Sequence, residues 1–193
     1  KRCRFCYFKF STDQNAAVVE RYVEALVNEA ALVAAQPFAR GRPLEYVYFG
    51  GGTPSYLSTQ QLARLVEGLR TALPWSGAKE ISFECEPGTL TERKVHAIRE
   101  LGVTRLCLGV ESFDDHILEV NGRAHLSKQA FAAFGWARAA GLPQINVDLI
   151  AGMLDETERE WNANIDHTLE LAPDSVTIYP MEVPLNTILY RDL

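Results

Sequence analysis

Residues 80–110 read EISFECEPGTLTERKVHAIRELGVTRLCLGV, and the hydrophobic period changes twice along them. From Glu80 to Glu86 apolar and polar residues alternate strictly. Ile81, Phe83 and Cys85 fall on one side and Ser82, Glu84 and Glu86 on the other, as in a half-buried strand. Pro87-Gly88 reads as a turn. Thr89 with Glu92 is a predicted capping box, Val95, Ile98 and Leu101 recur at helical spacing, and Gly102 is the stop. Arg105 to Val110 (RLCLGV) returns to a strand, with Cys107, Gly109 and the following Glu111 sharing a face. Strand, helix and strand within about 30 residues is the pattern of a right-handed βαβ unit with parallel strands.

The same alternation extends both ways. Upstream, Asn15 is placed to cap a long helix carrying Val18, Val19, Tyr22, Val23, Leu26, Val27 and Ala30, which ends before Pro37 and Gly41-Arg42-Pro43. Leu44 to Phe49 (LEYVYF) is a strand, and Ser58 with Gln61 boxes a helix whose Leu62, Leu65, Val66 and Leu69 face inward. Downstream, Asp114 to Asn121 reads as a short helical turn at best, and Ser127 as the cap of a helix carrying Phe131 and Phe134 and ended by Gly141. Ile145 to Ile150 (INVDLI) is a strand with Asn146 and Asp148 on one face. Thr157 with Glu160 boxes a helix through Trp161, Ile165 and Leu169, stopped by Pro173, and Ser175 to Tyr179 is the last strand. Five strands alternating with helices predict one α/β domain over residues 1–193 with a parallel sheet. Functional groups of such a sheet collect at its C-terminal strand ends.

Composition narrows the function classes. The 193 residues suffice for one large core, and a net charge of -6 argues against a protein that grips nucleic acid by neutralising phosphates. No apolar run approaches the roughly 20 residues of a membrane span. Four cysteines in a chain of this length are not a disulfide scaffold, and thiolate metal ligands suit a reducing cytoplasm. The chain opens inside a cysteine loop and closes on Tyr190-Arg191-Asp192-Leu193 without a stop signal, as expected of a fragment.

That loop is Cys3-Arg4-Phe5-Cys6, followed by Tyr7-Phe8-Lys9-Phe10. Two thiols three positions apart grip one metal centre from a single turn, and spacing alone leaves iron–sulfur, zinc and a redox dithiol open. Cys85 and Cys107 sit singly in strand patterns and read as buried small hydrophobes. Gly50-Gly51-Gly52 ends the first strand without side chains, so a ligand can approach exposed N–H groups, and it matches neither familiar phosphate fingerprint. Glu84, Glu111 and Asp148 would line a partly dry interior, which is costly unless they bind something polar. Arg123 follows a glycine, either as a carboxylate-binding fork or as a solvated loop residue. His96, His116, His125 and His167 lack metal-ligand spacing and read as surface or packing residues.

Together these residues resemble the radical S-adenosylmethionine (SAM) superfamily, and more narrowly its oxygen-independent coproporphyrinogen III oxidase-like members. The resemblance rests on Cys3-Arg4-Phe5-Cys6, Tyr48-Phe49-Gly50-Gly51-Gly52-Thr53-Pro54, Glu84-Cys85-Glu86-Pro87-Gly88, Gly109-Val110-Glu111-Ser112-Phe113, Gly122-Arg123-Ala124-His125 and Asp148-Leu149-Ile150-Ala151-Gly152, in that order. It implies a partial (β/α)6 TIM-like barrel, here lacking the first strand and the C-terminal region. It implies a [4Fe-4S] cluster held by Cys3, Cys6 and a third cysteine upstream, with SAM at the open iron. Phe5 would flank the adenine, Gly51, Gly52 and Thr53 would meet the SAM amino group, Glu84 and Arg123 would hold its polar parts, and Glu111 and Asp148 its ribose. The implied reaction is reductive cleavage of SAM to a 5′-deoxyadenosyl radical that abstracts hydrogen from a small-molecule substrate such as a tetrapyrrole. An electron donor such as flavodoxin or ferredoxin would supply the reducing equivalent. The pattern is departed from in three places: Phe8 replaces an extra cysteine, Glu111 a Gln, and the pair Met153-Leu154 a Leu-Pro. The resemblance therefore also covers radical C-methyltransferases, which use a second SAM, and haem-binding chaperone-like members.

Overall fold

The computed structural model describes residues 3–8, 11 and 14–192, so the expected contribution of Lys9 and Phe10 to the cysteine loop, and Leu193, lie outside the described residues. Five strands form one sheet in chain order: β1 (Tyr46–Phe49), β2 (Glu80–Cys85), β3 (Arg105–Glu111), β4 (Gln144–Ala151) and β5 (Ser175–Pro180). Every neighbouring pair is parallel. Order and sequence coincide because each crossover steps one strand over in the same direction. That winding keeps the helices on one face and leaves the other as the inside of a partial barrel, unlike a doubly wound sheet, whose order reverses.

The helices are α1 (Ala16–Ala34), α2 (Thr59–Ala72), α3 (Glu92–Glu100), α4 (Asp115–Val120), α5 (Ser127–Ala139), α6 (Glu158–Leu171) and α7 (Ile188–Asp192). Their caps explain most boundaries. Asn15 accepts from Val18 N–H, and Ser58 and Gln61 exchange the expected reciprocal bonds. Two caps differ from the sequence reading. Thr89 belongs to a 3-10 turn over Pro87–Thr89, so the cap of α3 moves to Thr91, whose side chain accepts from Lys94 N–H. Ser127 is the first helical residue of α5, because the Asp115 carboxylate takes its N–H at 2.7 Å and the Gln129 side chain takes that of Leu126. The segment after Asp114 is a full six-residue helix, because Asp114 Oδ1 caps Ile117 N–H at 3.0 Å. The first strand starts at Tyr46 rather than Leu44, since Leu44 N–H is spent on Pro74 O at 2.8 Å.

The core lies between sheet and helices. Ile81, Phe83, Leu106, Leu108, Val147 and Leu149 project from the strands against Leu62, Val66, Val95, Ile98 and Ala133. These are the alternate positions of each strand, so Ser82, Glu84, Cys107, Gly109, Asn146 and Asp148 are left facing the barrel interior. Cys85 packs in the core, whereas Cys107 faces the interior opposite Glu84. No described helix is long and apolar enough to cross a membrane.

Candidate functional site

The cysteine loop is a tight turn, in which Cys6 N–H donates to Cys3 O at 3.2 Å. It is tied to the rim of the sheet from both sides. Arg4 N–H donates to Asn121 O at 3.0 Å, its Nη1 to Val120 O at 3.1 Å, and Leu189 N–H of α7 to Arg4 O at 2.9 Å. Arg4 also pairs with Asp192. Phe5 packs on a small apolar cluster of Ile117, Ile150 and Met153, beside Met181. Phe8, at the position that departs from the family pattern, is exposed and stacks on Tyr7 with ring centroids 4.8 Å apart.

Arg123 joins this loop to the sheet. Its Nη1 donates to Cys3 Sγ at 3.2 Å and its Nη2 to Gly109 O at 2.5 Å, and Nη2 stands 3.5 Å from Glu111 Oε1. The side chain is only 9% exposed, so the solvated-loop reading does not hold, and its Nε is buried without a partner. Burial works against its charge, but Glu111, Cys3 and Glu86 outweigh burial and keep the guanidinium protonated. A Cβ on Gly109 beneath it would stand 3.1 Å from Glu111 Oε1 and 3.4 Å from Arg123 Nη2, so one of these side chains would have to give by a few tenths of an ångström.

Glu111 sits in a kink. The register of β3 against β4 slips between Gly109, opposite Asp148, and Glu111, opposite Leu149. Ser112 N–H closes back onto Val110 O at 2.8 Å, and Glu111 between them has φ 66°, a left-handed conformation costly for a residue with a side chain. The kink swings its carboxylate to Arg123. Burial pushes the Glu111 carboxyl up to about 7; Arg123 opposes the rise, while Asp148, Glu84 and Glu86 add to it.

Glu84, one pleat from the end of β2, accepts from Gly51 N–H at 3.1 Å and from the Tyr48 hydroxyl. Burial and that bond raise the Tyr48 pKa. Gly51 has φ 108°, and neither it nor Gly52 would bring a Cβ near another atom, so the loop leaves open space above its backbone; Thr53 is exposed beside them. Asp148 accepts from Asn146 Nδ2 at 2.7 Å. Burial raises its pKa, Thr177 and Asn146 oppose that, and Glu84 adds to it. Contacts thus bring Cys3, Arg123 and Glu111 together and join Gly51 to Glu84, while Asp148 faces the same interior from β4, in register with Gly109.

The residues around the site were harder to foresee. His125 is buried and paired with Glu86, and Glu86 therefore does more than turn the chain. His116, as expected, is exposed and pairs with Asp155 at 3.3 Å. Tyr48 was foreseeable from LEYVYF, where alternation puts Tyr46 and Tyr48 on the face of Ser82 and Glu84. Asn164 and Asn121 carried no sequence signal. Asn164 Oδ1 accepts from Phe113 N–H at 2.7 Å and its Nδ2 donates to Glu156, whose other oxygen accepts from Gly152 N–H. Asn121 pairs with Leu154 N–H and O.

An orphaned guanidinium N–H, a side-chain-free strand end and three carboxylates that repel one another fit a zwitterionic, hydroxyl-bearing ligand beside two thiols. Comparisons point the same way. Residues 1–167 match the sequence profile described as Radical SAM superfamily. A heme chaperone, HemW, of Bacillus subtilis is 34% identical over 191 residues, covering 98% of this chain and 49% of that protein. The oxygen-independent coproporphyrinogen III oxidase of Synechocystis is 29% identical over 180 residues, covering 93% of this chain and 38% of that protein. The solved structure of the Escherichia coli coproporphyrinogen III oxidase HemN superposes over 100% of this chain and 44% of its own with TM-score 0.88, at 28% identity. The chain spans about half the length of the heme chaperone it matches.

Proposed function

The chain belongs to the Radical SAM superfamily, and from that premise we propose that it forms the part of a tetrapyrrole-handling protein that holds a [4Fe-4S] cluster and SAM. Cys3 and Cys6 would hold the cluster with a third thiolate from upstream. When bound there, the cluster would supply the electron for reductive cleavage of SAM and so the radical chemistry that removes hydrogen from a substrate. The chain's own residues bind and orient. Arg123, with its idle Nε, is a planar fork for the SAM carboxylate. Gly51, Gly52, Thr53 and Glu84 receive the amino group. Glu111 and Asp148 accept from the ribose hydroxyls, and Phe5 on its apolar cluster flanks the adenine. The observation that carries this reading is Arg123 reaching Cys3 Sγ while keeping one buried N–H unspent.

The test is anaerobic cluster reconstitution of the full-length protein, reduction, and assay for 5′-deoxyadenosine. Formation of that product supports the reading; a complete cluster with SAM left intact contradicts it. Two neighbouring readings have specific motives. Phe8 in place of a cysteine, and similarity to proteins named heme chaperones, favour a haem-carrying role on the same shell. Haem titration showing stoichiometric binding with no turnover of a tetrapyrrole would select it. Phe8 and Glu111 also suit a methyltransferase with a second SAM, which methyl-labelled SAM would reveal by label in the product. Reduction by flavodoxin or ferredoxin and a cytoplasmic setting follow from the same reading.

A further inference from the structure

His125 lies two residues beyond Arg123 in the α4–α5 loop, and its side chain is 0% exposed. Its Nε2 stands 3.2 Å from Val110 O and its Nδ1 2.5 Å from Glu86 Oε1. A carbonyl only accepts, so Nε2 carries hydrogen. Two lone pairs do not face one another at 2.5 Å, so one proton lies between Nδ1 and the carboxylate. The imidazole thus bridges the end of β2 to the carbonyl that also closes the Glu111 turn through Ser112 N–H.

We propose that His125 is a positioning residue of the cofactor site. With Glu86 it forms a one-proton clamp on Val110 that holds the Glu111 kink and thereby the placement of the Glu111 carboxylate against Arg123. The clamp itself stands on the geometry; its consequence for cofactor binding rests on the reading that Glu111 and Arg123 hold SAM. The charged groups facing the pair are Arg123 from the same loop, Glu111 from the end of β3 and Asp115 from α4. Burial would raise the Glu86 pKa, but the hydrogen bond and charge of His125, with Arg123, outweigh burial and hold it below the ordinary range. Charged or neutral, the carboxyl still has an oxygen for Nδ1 and leaves the Nε2 hydrogen on Val110 O, so the clamp does not depend on the charge of Glu86. Glu86→Gln does not titrate. Its amide donates to a neutral ring or accepts from a protonated one, so it preserves the clamp at either state. His125→Phe removes it.

Hydrogen exchange at residues 109–113, corrected for intrinsic rates and read without cofactor, tests the clamp. In the parent chain, Ser112 should be protected at least about tenfold more than in His125→Phe. Glu86→Gln should keep that protection, and His125→Phe should lack it at every pH while Val147 and Leu149 of β4 stay protected. Parent-like protection in His125→Phe overturns the proposal; if that variant does not fold, Glu86→Ala, which leaves Nδ1 without its partner, should lose the same protection, and parent-like protection there overturns it. In the reconstituted full-length protein, His125→Phe should weaken SAM binding about tenfold at unchanged iron content, and unchanged affinity would sever the clamp from the site. A parent protein that binds no SAM would refute the functional reading, while exchange would still judge the clamp.

Discussion

Glu111 concentrates the opposing forces of the site in one residue. It is held left-handed at a cost of about 1–3 kcal/mol, buried among other carboxylates, and answered by one guanidinium. Its folded pKa of about 7 lies above the ordinary carboxylate value, so the folded chain binds its proton more tightly than the unfolded one. Stability from this group is therefore fully present at low pH and is lost as pH rises through about 7. Urea unfolding at pH 5 and pH 8 (~3 units apart) should show the parent losing on the order of 2 kcal/mol relative to Glu111→Gln. Equal pH dependence of the two would mean the carboxyl is not buried as described. Arg123→Lys keeps the charge but loses the planar fork and its Nε. The reconstituted variant should retain iron and lose at least about tenfold in SAM affinity by calorimetry, and an unchanged affinity would remove Arg123 from the binding set.

The elements themselves were largely legible from sequence, because each strand and helix is amphipathic and the capping residues of α1, α2 and α6 are local signals. Errors arose where one element's cap comes from another. Asp115 takes the N–H of Ser127, and the Ser55 hydroxyl takes the N–H of Glu86, ending β2 one residue early. Glu84 and Asp148 facing the interior followed from alternation alone, whereas Glu111 reaches Arg123 through its left-handed kink. The braces between loops did not, since His125 on Val110 O, Asn121 on Leu154 O, Asn164 on Phe113 N–H and the Lys94 ammonium on Ser55 O act over long separations in sequence. Asn164→Ala would strand Phe113 N–H and leave Ser112 and Glu156 without their partner, costing about 2 kcal/mol. Chemical denaturation measures it, and a neutral result would show that water replaces the amide. Gly68 marks the α1–α2 contact, where a Cβ would meet Val27 Cγ2 at 2.6 Å. Gly68→Ala should therefore destabilise by about 1–3 kcal/mol despite the better helix propensity of Ala; a stabilised variant would show that the two helices separate freely.

At the scale of the whole molecule, a singly wound sheet gathers its strand ends on one rim, and the cysteine loop is fastened to that rim by Asn121, Arg123 and α7. Fold and site are thus one construction: the winding that buries apolar residues on the helix side leaves acids and glycines on the other. The account's central claim is that the thiols of Cys3 and Cys6 and the groups around Arg123 serve a single ligand assembly. Electron paramagnetic resonance of the anaerobically reconstituted, reduced full-length protein, recorded with and without SAM, tests this most directly. The account predicts an iron–sulfur signal that changes on adding SAM, is lost in Cys3→Ala, and is present but indifferent to SAM when Arg123 is replaced by Met. Bound zinc without iron or labile sulfide, or a parent signal untouched by SAM, would contradict it.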